Sequence, residues 1–491
     1  MTSLVDRHAA RAAELLPEPA LLIGDDRITK TSSGFLERTD PSTGLVLAEF
    51  PVAGRDEVDR AVATAKAAFR SWRRVPADRR RRILSDCARA ILAHEEELGA
   101  ISALEIGTPV SGNFLGTAAD QFDYYAGWAD KFEGELISAY PTRAFNYVKY
   151  EPYGVIGALI TWNGPLVNMS MKVAPALAAG NTVVLRTPEQ APFGPQRLGE
   201  ILLEAGLPAG VLNIVAGGPE TSEAIIRHPD VRKVSFTGGP EIAKKIMTTA
   251  AETLTPLCLE LGGKSANLVF ADADLDRAAE HAARFSVLTL AGQGCVLPTR
   301  LLVQDTVYDE MVERVKAVAE SPTIGDPLDP ATTLGPVISQ AAVDRILGFV
   351  AGARSEARVV TGGERLSGEW AEGFFLTPTV VADVEHTSTL AQQEVFGPVL
   401  AIMPFHTEEE AVAKANDTAY GLGGYLHTSD LARAHRVADE LEAGVIGVNG
   451  FPSITGATPF GGTKISGFGR EGGRAGIEEF VHHKNVWIPL D

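Results

Sequence analysis

Apolar residues recur at three- and four-residue spacing between residues 55 and 100, in the stretches EVDRAVATAKAAFRSW and RRRRILSDCARAILAHEEEL. This spacing places the apolar side chains on one face of a helix and predicts amphipathic helices that cover a core. The basic run Arg79–Arg82 lies at the start of the second stretch, where a solvated helix face is a commoner interpretation than an anion site. We therefore assign this run no function.

From residue 153 the pattern changes to short apolar runs that alternate with helical stretches, including VIGALITW, NTVVLR, VLNIV and KVSFTG. Uniformly apolar runs of this length are typical of strands covered on both faces, so the pattern predicts a parallel, doubly wound sheet. Such sheets bind ligands at the carboxyl ends of their strands. A second alternating series, from residue 265 to about 450, includes SANLVF, TRLLVQ and GVIGVN and predicts a second sheet of the same kind.

The stretch ELISAYPTRAFNYVKYEPYG alternates apolar and polar residues around a proline, which predicts a protruding hairpin. An arm of this kind commonly serves oligomerisation. The apolar tail VWIPL is expected to add a strand to the sheet of a partner subunit. Together these segments predict a homodimer or homotetramer.

Composition limits the remaining possibilities. A chain of 491 residues that is 45% hydrophobic predicts two or three domains with room for an enclosed site. A net charge of −19 argues against nucleic acid or an anionic membrane as the main partner. The beginning of the chain has no signal-like apolar stretch and no later run approaches the length of a membrane span, so we expect a cytoplasmic protein.

The chain has three cysteines, at widely separated positions: Cys87, Cys258 and Cys295. This spacing argues against a disulfide framework and against a zinc cluster, and the histidines show no ligand spacing, so we expect no metal site. Cys295 lies in AGQGCVLPTR, where small neighbours leave space for another molecule. These neighbours fit a buried core thiol as well as a nucleophile.

Two stretches could hold a phosphate or a ribose, although the chain lacks a G-x-G-x-x-G fingerprint. Gly238 and Gly239 separate an apolar run from a helical one, and backbone N–H groups at such a turn can face a phosphate. A tight strand-to-helix turn also requires glycine when no phosphate is bound, so the two glycines alone do not distinguish the two interpretations. In NTVVLRTPEQAP, Arg186 ends a strand and Glu189 follows shortly after it. The Glu189 carboxylate could accept hydrogen bonds from ribose hydroxyls, or it could cap a helix.

Six stretches together resemble the NAD(P)-dependent aldehyde dehydrogenase superfamily, in family order and over roughly residues 40 to 490. They are TWNGP at 161–165, FTGGPEI at 236–242, LELGGKS at 259–265, AGQGC at 291–295 followed by Arg300, EVFGPV at 394–399 and PFGGTKISGFGRE at 459–471. The resemblance implies an α/β fold with two doubly wound parallel-sheet domains and a small β oligomerisation arm. It further implies an NAD-binding domain of residues 1–132 and 150–258, a catalytic domain of residues 259–450, and an oligomerisation hairpin and C-terminal segment of residues 133–149 and 451–491.

The resemblance also implies catalytic roles. Cys295 would be the nucleophile, because a thiolate attacks an aldehyde carbon readily near neutral pH. Asn163 would supply its side-chain amide to an oxyanion hole together with the Cys295 backbone N–H. Glu260 would be the general base that activates water to hydrolyse a thioester. Lys172 and Glu471 match a lysine and a glutamate on a proton-relay path.

Cofactor and substrate residues follow from the same resemblance. The implied cofactor-binding residues are Trp162, Arg186, Glu189, Phe236, Gly238, Gly239, Leu261, Glu394 and Phe396. Glu189 favours NAD, whereas Arg186, where the family commonly has lysine, could tolerate the additional phosphate of NADP. Gly164 replaces an aromatic residue common in the family and indicates a wide tunnel for a medium or large apolar or aromatic aldehyde. Ile454 and Phe460 are implied tunnel walls.

Two alternatives stay open beside hydrolytic oxidation of an aldehyde. A CoA-acylating semialdehyde dehydrogenase would resolve the thioester with CoA, but that branch generally lacks the glutamate equivalent to Glu260. A catalytically inactive NAD-binding homologue would be expected to have lost Cys295, Glu260 or Asn163, and all three are present.

Overall fold

The computed structural model describes residues 3–490, which form two large sheets, a three-stranded sheet and a two-stranded ribbon. The helices are α1 Leu4–Leu15, α2 Arg55–Trp72, α3 Ala77–Ala93, α4 Glu95–Ile106, α5 Leu115–Ala126, α6 Pro165–Ala178, α7 Phe193–Glu204, α8 Pro219–Arg227, α9 Pro240–Ala251, α10 Leu275–Ala283, α11 Tyr308–Ala319, α12 Gln340–Ala353, α13 Thr389–Gln392, α14 Glu408–Asn416, α15 Leu431–Glu440 and α16 Gly473–Glu478. No helix of the described residues is long and apolar enough to cross a membrane.

The strands of the first half of the chain are β1 Leu21–Ile23, β2 Asp26–Ile28, β3 Phe35–Thr39, β4 Val46–Pro51, β5 Glu135–Ser138, β6 Ala144–Pro152, β7 Val155–Leu159, β8 Thr182–Thr187, β9 Leu212–Ala216, β10 Val231–Gly238 and β11 Leu257–Leu261. Those of the second half are β12 Ala266–Val269, β13 Arg300–Gln304, β14 Arg358–Thr361, β15 Thr379–Ala382, β16 Val399–Phe405, β17 Gly423–His427, β18 Val445–Val448, β19 Gly467–Phe468 and β20 Val481–Pro489.

The first large sheet has the strand order β19-β11-β10-β7-β8-β9-β1-β2. Strands β11 to β9 in this order are parallel, as the apolar runs predicted, while β1, β2 and β19 extend the sheet with antiparallel pairs. Along β7, Ile156 and Ala158 pack into one apolar cluster, and Val155 and Leu159 into another. Both faces of the sheet are therefore buried, which explains why its strands have no polar alternation.

The second large sheet has the order β14-β15-β16-β13-β12-β17-β18 and is parallel except at the β14–β15 edge. Its strands also divide their side chains between two apolar clusters. The predicted α/β architecture with two mostly parallel sheets is thus confirmed. The expected boundary between residues 258 and 259 falls inside β11, so the first sheet continues through Leu261.

The predicted hairpin is formed by β5 and β6, and the C-terminal strand β20 lies on the other side of β6. β20 pairs with β6 of its own chain along nine residues, which the sequence had not indicated, and the addition of the tail to a partner's sheet stays a prediction. The N-terminal helices α2 and α3 lie where the periodicity predicted helices, whereas α4 extends beyond the predicted stretches and is buried from Leu98 to Ile106, so it has no amphipathic pattern.

One residue of the basic run departs from the predicted solvated face. Arg80 points inward from α3 and donates hydrogen bonds to the carbonyls of Ala178, Val75 and Ala129. Because Ala178 ends α6, Arg80 satisfies a helix-terminal carbonyl that would otherwise lack a partner.

Candidate active site

The motifs meet where the parallel strands of the first sheet end. Thr237 pairs with Glu260 and Gly238 with Leu261 at the ends of β10 and β11. The Trp162–Asn163 segment follows β7, the other neighbour of β10. Stretches that are far apart in the sequence thus meet at one edge, as expected for a ligand site in an α/β fold.

The loop of Cys295 is anchored to this edge by its glutamine neighbour. The Asn163 side-chain amide donates to the Gln293 carbonyl at 2.8 Å, and the Gln293 side chain accepts from the Ile338 N–H at 3.0 Å. Just upstream, Leu290 and Ala291 have φ values of 52° and 49°, a region that non-glycine residues rarely occupy. Such strain is typical of functional sites. The sequence had not indicated that Gln293 anchors this loop, although it lies within AGQGC.

Two glycines allow the end of β11 to touch both the cysteine loop and Glu394. A Cβ on Gly263 would lie 2.4 Å from the Cys295 carbonyl oxygen, and one on Gly262 would lie 2.1 Å from a carboxylate oxygen of Glu394. The Gly263 N–H donates to the other Glu394 oxygen at 3.0 Å. Side chains at these glycines would force the three segments apart, so the two glycines of LELGG have a steric explanation.

Cys295 is half-buried as a residue, and the surroundings of its sulfur favour the protonated form. Burial of the sulfur, followed by the charges of Glu394 and Glu260, raises the pKa of Cys295 to about 12. Without another molecule at the site, the thiol needs a base before it can act as a nucleophile.

Glu260 is 3% exposed, and within the described part of the chain neither of its carboxylate oxygens has a hydrogen-bond partner. Burial, then the charge of Glu471, raises the pKa of Glu260 well above its usual value, while Lys172 and Arg470 act in the opposite direction. A buried carboxyl without donors is unusual in proteins. Its raised pKa is a common property of catalytic acids and bases.

Lys172 and Glu471 form a buried ion pair, and Lys172 also donates to the Ser235 hydroxyl at 3.0 Å. Both members of the pair act on Glu260: the charge of Glu471 raises its pKa, and that of Lys172 lowers it. The structure thus places the two residues expected on a relay path together and close to the candidate base. Ser235 had not been identified from the sequence, because a single serine in a buried strand carries no distinguishing pattern.

The expected nicotinamide-side residues also come together. Trp162 and Phe396 make an edge-to-face contact with ring centroids 5.4 Å apart, and the Phe396 carbonyl accepts from Arg345 at 3.1 Å. Burial raises the pKa of Glu394 to about 7, against the opposing effects of the Gly263 N–H, Lys264 and Arg345. The aromatic rings could pack against a planar cationic ring, and the carboxyl beside them could accept hydrogen bonds from a ribose.

The turn from β10 to α9 has the form needed for a phosphate. Gly239 is the N-cap of α9, and among the described residues only its chain neighbours come within 4 Å of the position its Cβ would take. The N-terminal N–H groups of a helix in open space can bind an anion. Phe236 and Leu261, in contrast, are 3% and 6% exposed. The Phe236 ring lies against Gly238, so it supports the turn from inside the core.

The expected adenosine-side residues lie at the ends of β8 and β9. Glu189 is exposed, and its carboxylate lies against Gly218 at the start of α8. Arg186 donates to the Ser222 hydroxyl at 3.0 Å and to the Ile160 carbonyl at 3.3 Å. Burial lowers the pKa of Arg186 to about 10, partly offset by the charge of Glu189. The arginine is thus held by protein groups, while the glutamate faces solvent.

An apolar cluster surrounds the thiol, and we call it the cysteine cluster. Its members are Val167, Met171, Cys295, Val296, Leu422, Tyr425, Val445, Phe451, Ile454 and Phe460. Ile454 and Phe460, the two implied tunnel walls, thus lie in one cluster with the nucleophile candidate. Apart from its own chain neighbours, no residue of the described range 3–490 comes within 4 Å of where a Cβ on Gly164 would stand. This glycine leaves open space at the start of α6.

Aromatic rings form one side of the cysteine cluster. Phe451 stacks on Phe285 with centroids 4.3 Å apart and on Tyr425 with centroids 5.4 Å apart. The Tyr425 hydroxyl donates to the Val296 carbonyl at 2.8 Å, beside the cysteine. The sequence reasoning missed these rings because they come from three distant segments. Val167 and Met171 carried a usable signal, since they follow Gly164 at helical spacing.

Comparisons with known proteins identify the family of the chain. A model of the aldehyde dehydrogenase family matches residues 28–486. An aldehyde dehydrogenase-like protein of Schizosaccharomyces pombe is 40% identical over 458 residues, 92% of each chain. The betaine aldehyde dehydrogenase of Staphylococcus aureus, solved with NAD⁺, is 32% identical with a TM-score of 0.95 over 99% of this chain and 98% of its own. An NADP-dependent enzyme of E. coli is 36% identical with a TM-score of 0.93 over 97% and 99%. These matches confirm the resemblance drawn from the motifs, and the chain belongs to the aldehyde dehydrogenase family of NAD(P)-dependent enzymes.

Proposed function

We propose that the chain oxidises a medium or large apolar or aromatic aldehyde to the carboxylic acid with NAD, through a thiohemiacetal and a thioester on Cys295. This proposal rests on the groups that surround the Cys295 thiol. An amide donor, Asn163, is fixed on the cysteine loop, and the buried, unpaired carboxyl of Glu260 lies close enough to raise the thiol pKa. The apolar cysteine cluster completes this surrounding.

In the first step the thiol gives its proton to a base and the sulfur adds to the aldehyde carbon. Glu260 is suited to accept this proton, because its oxygens have no competing donor within residues 3–490. The carbonyl oxygen becomes an oxyanion as the C–S bond forms. Asn163 can stabilise it with the amide hydrogen that is not donated to Gln293, and the Cys295 backbone N–H is the second donor.

The cofactor site fits NAD. Glu394, Trp162 and Phe396 would hold the nicotinamide ribose and ring, and the Gly238–Gly239 turn would hold the pyrophosphate. When bound, NAD supplies the acceptor for the hydride that leaves the aldehyde carbon. Loss of that hydride and collapse of the oxyanion leave a thioester on Cys295.

Before the second step Glu260 releases the thiol proton, which is the proton formed in each turnover. Water then attacks the thioester carbon and gives a proton to the ionised Glu260, which passes it to the departing sulfur. The C–S bond breaks, the sulfur regains a proton, and the carboxylic acid departs. The balance is one aldehyde, one water and one NAD⁺ consumed, with one acid, one NADH and one proton formed. The Lys172–Glu471 pair behind Glu260 provides a buried route for that proton.

The exposed carboxylate of Glu189 favours NAD over NADP, because it would repel a phosphate on the adenosine ribose. Arg186 offers such a phosphate little attraction while it is bound to Ser222 and Ile160. NADP is the alternative, and the kcat/KM ratio for the two cofactors discriminates between them.

The wide, aromatic cysteine cluster supports an apolar or aromatic substrate. We also propose a homodimer or homotetramer that associates through the sheet of β5, β6 and β20. This sheet exposes the apolar side chains of Leu136, Ile137, Phe145, Trp487 and Ile488. Exposed apolar patches of this kind mark association sites.

The direct test is NADH formation with a panel of aliphatic and aromatic aldehydes, without CoA. We expect free carboxylic acid and NADH in equal amounts. Accumulation of enzyme-bound acyl groups that only CoA releases would favour the CoA-acylating alternative. Cys295→Ala should abolish NADH formation while NAD binding is retained, and persistent turnover in this variant would contradict the nucleophile assignment.

A further inference from the structure

Helix α6 carries a polar side chain that the reaction described above does not use. The Asn168 side-chain oxygen is buried and has no hydrogen-bond partner among residues 3–490. Its backbone N–H donates to the Gly164 carbonyl in the ordinary helical pattern, so the orphaned group belongs to the side chain alone. A buried amide oxygen without a donor is unfavourable unless another molecule supplies one.

The helical spacing places this amide beside the cysteine cluster. Residues at spacings of three and four lie on one face of a helix, which groups Gly164, Val167, Asn168 and Met171. Val167 and Met171 both pack in the cluster that contains Cys295. Gly164, one turn before Asn168, faces open space. Asn168 is thus a polar position on an otherwise apolar wall.

We propose that Asn168 selects aldehydes that carry a hydrogen-bond donor, such as a hydroxyl group, at the end remote from the aldehyde carbon. The side-chain oxygen of Asn168 accepts from that donor when the carbonyl lies at Asn163. Asn168 follows Asn163, which lies just before α6, by five residues, a rise of roughly 7 Å at the helical spacing, which is close to the distance from a carbonyl group to a hydroxyl across an aromatic ring. The preferred class is therefore a ring-hydroxylated aromatic aldehyde. This inference rests on the proposed aldehyde oxidation.

The test compares phenylacetaldehyde with para-hydroxyphenylacetaldehyde, because the methylene group insulates the carbonyl from the ring hydroxyl. The kcat/KM of each aldehyde is measured at saturating NAD for the full chain, for Asn168→Leu and for Asn168→Ala. We expect the natural chain to prefer the hydroxylated aldehyde about tenfold and both variants to lose this preference, mainly through KM.

Ser170→Ala is the matched control. Ser170 also has a buried hydroxyl without a partner in the described structure, but it lies about 200° around α6 from Asn168. Its loss should leave the preference for the hydroxylated aldehyde intact. A parallel loss of preference in Ser170→Ala would indicate a general disturbance of the helix and would overturn the inference.

The outcomes separate the two proposals. Equal kcat/KM for both aldehydes in the natural chain, or an unchanged ratio in both Asn168 variants, overturns the role of Asn168 while aldehyde oxidation stands. Absence of turnover with every aldehyde overturns the proposed function and this inference with it. If Asn168→Leu does not fold, the ratio measured for Asn168→Ala decides.

Discussion

Two buried glutamates in different regions of the molecule show how burial can serve structure or chemistry. Glu105, on α4, accepts the backbone N–H groups of Phe193 at 2.6 Å and Gly194 at 3.0 Å, where α7 begins. Burial raises the pKa of Glu105 to about 7, against the lowering effects of Arg38 and these two donors. Glu260 is buried to a similar degree at the end of β11 but has no donor among the described residues.

The difference concerns what each carboxyl does for the fold. An unsatisfied buried polar group costs about 1–3 kcal/mol, and Glu105 avoids this cost by satisfying two N–H groups at the first turn of a helix. Glu260 incurs this cost, and its carboxyl accepts no hydrogen bond that would stabilise another described part of the fold. A third region, around His8, resembles Glu105, because its ring nitrogens lie 2.7 Å from Asp40 and 2.9 Å from Asp326. We infer that the satisfied groups at Glu105 and His8 join separate elements of the fold, whereas the carboxyl of Glu260 is left free for the proposed reaction.

The largest expected effect is that of Glu260→Gln. Glutamine keeps the shape but cannot take a proton, so turnover should fall by about 10²–10⁴-fold. The melting temperature should change little, because no hydrogen bond to the protein is lost. Steady-state NADH formation and thermal unfolding measure the two effects, with mass spectrometry of the acyl-enzyme as a check. A stability loss as large as that of Glu105→Gln would remove the contrast between the glutamates.

Asn163→Ala should reduce kcat by about 10²–10³-fold, because one oxyanion donor is lost. Both variants should be slow in the first turnover, Asn163→Ala because the oxyanion forms before NADH appears and Glu260→Gln because the thiol keeps its proton. Only Glu260→Gln should also accumulate acyl-enzyme, so rapid-mixing measurements of NADH combined with mass spectrometry of the acyl-enzyme separate the two variants. A fast first turnover followed by slow steady state in Asn163→Ala would assign the residue to thioester hydrolysis instead.

Glu105→Gln is the structural counterpart. The glutamine can still accept one N–H, but its own amide hydrogens face the second donor, so we expect a loss of about 1–3 kcal/mol in the free energy of unfolding. The kcat of the folded enzyme should be retained. Urea unfolding and steady-state kinetics check this, and a loss of kcat without a loss of stability would reverse the two roles.

The smallest effect is a pH dependence of stability from His8. Burial alone would lower its pKa, but hydrogen bonds to Asp326 and Asp40 outweigh burial and raise the pKa from 6.5 to about 9. The charged form is favoured in the folded state, so its stabilising effect is complete below pH 6.5 and is lost as the pH rises through about 9. The melting temperatures of the natural chain and His8→Gln should converge over this range. A gap that stays constant would show that His8 does not titrate there.

Much of the fold could be predicted from residue patterns because its central elements are long or uniformly apolar. The runs that became β7, β8, β9 and β10 predicted the parallel sheet, and the periodicity of residues 55 to 100 predicted α2 and α3. Strands of two or three residues, such as β1, β2 and β19, were missed because so few residues show no period. The pairing of β20 with β6 was missed because strand partners depend on the closed fold.

Some residues of the candidate site could likewise be proposed from the sequence, and others could not. The family motifs were enough to propose Cys295, Asn163 and Glu260 as nucleophile, oxyanion donor and base. The rings of Phe285, Tyr425 and Phe451 were not, since they come from three segments that only the fold brings together.

The sequence by itself determined the alternation of helices and strands and which side chains are chemically able to react. Only the tertiary structure decided which buried polar groups have partners. Glu105 is satisfied by backbone groups 88 and 89 residues away, and Glu260 and Asn168 are not satisfied by any described residue. The physical reason is that a hydrogen bond depends on distance and direction in space, and neither can be read from the order of the chain.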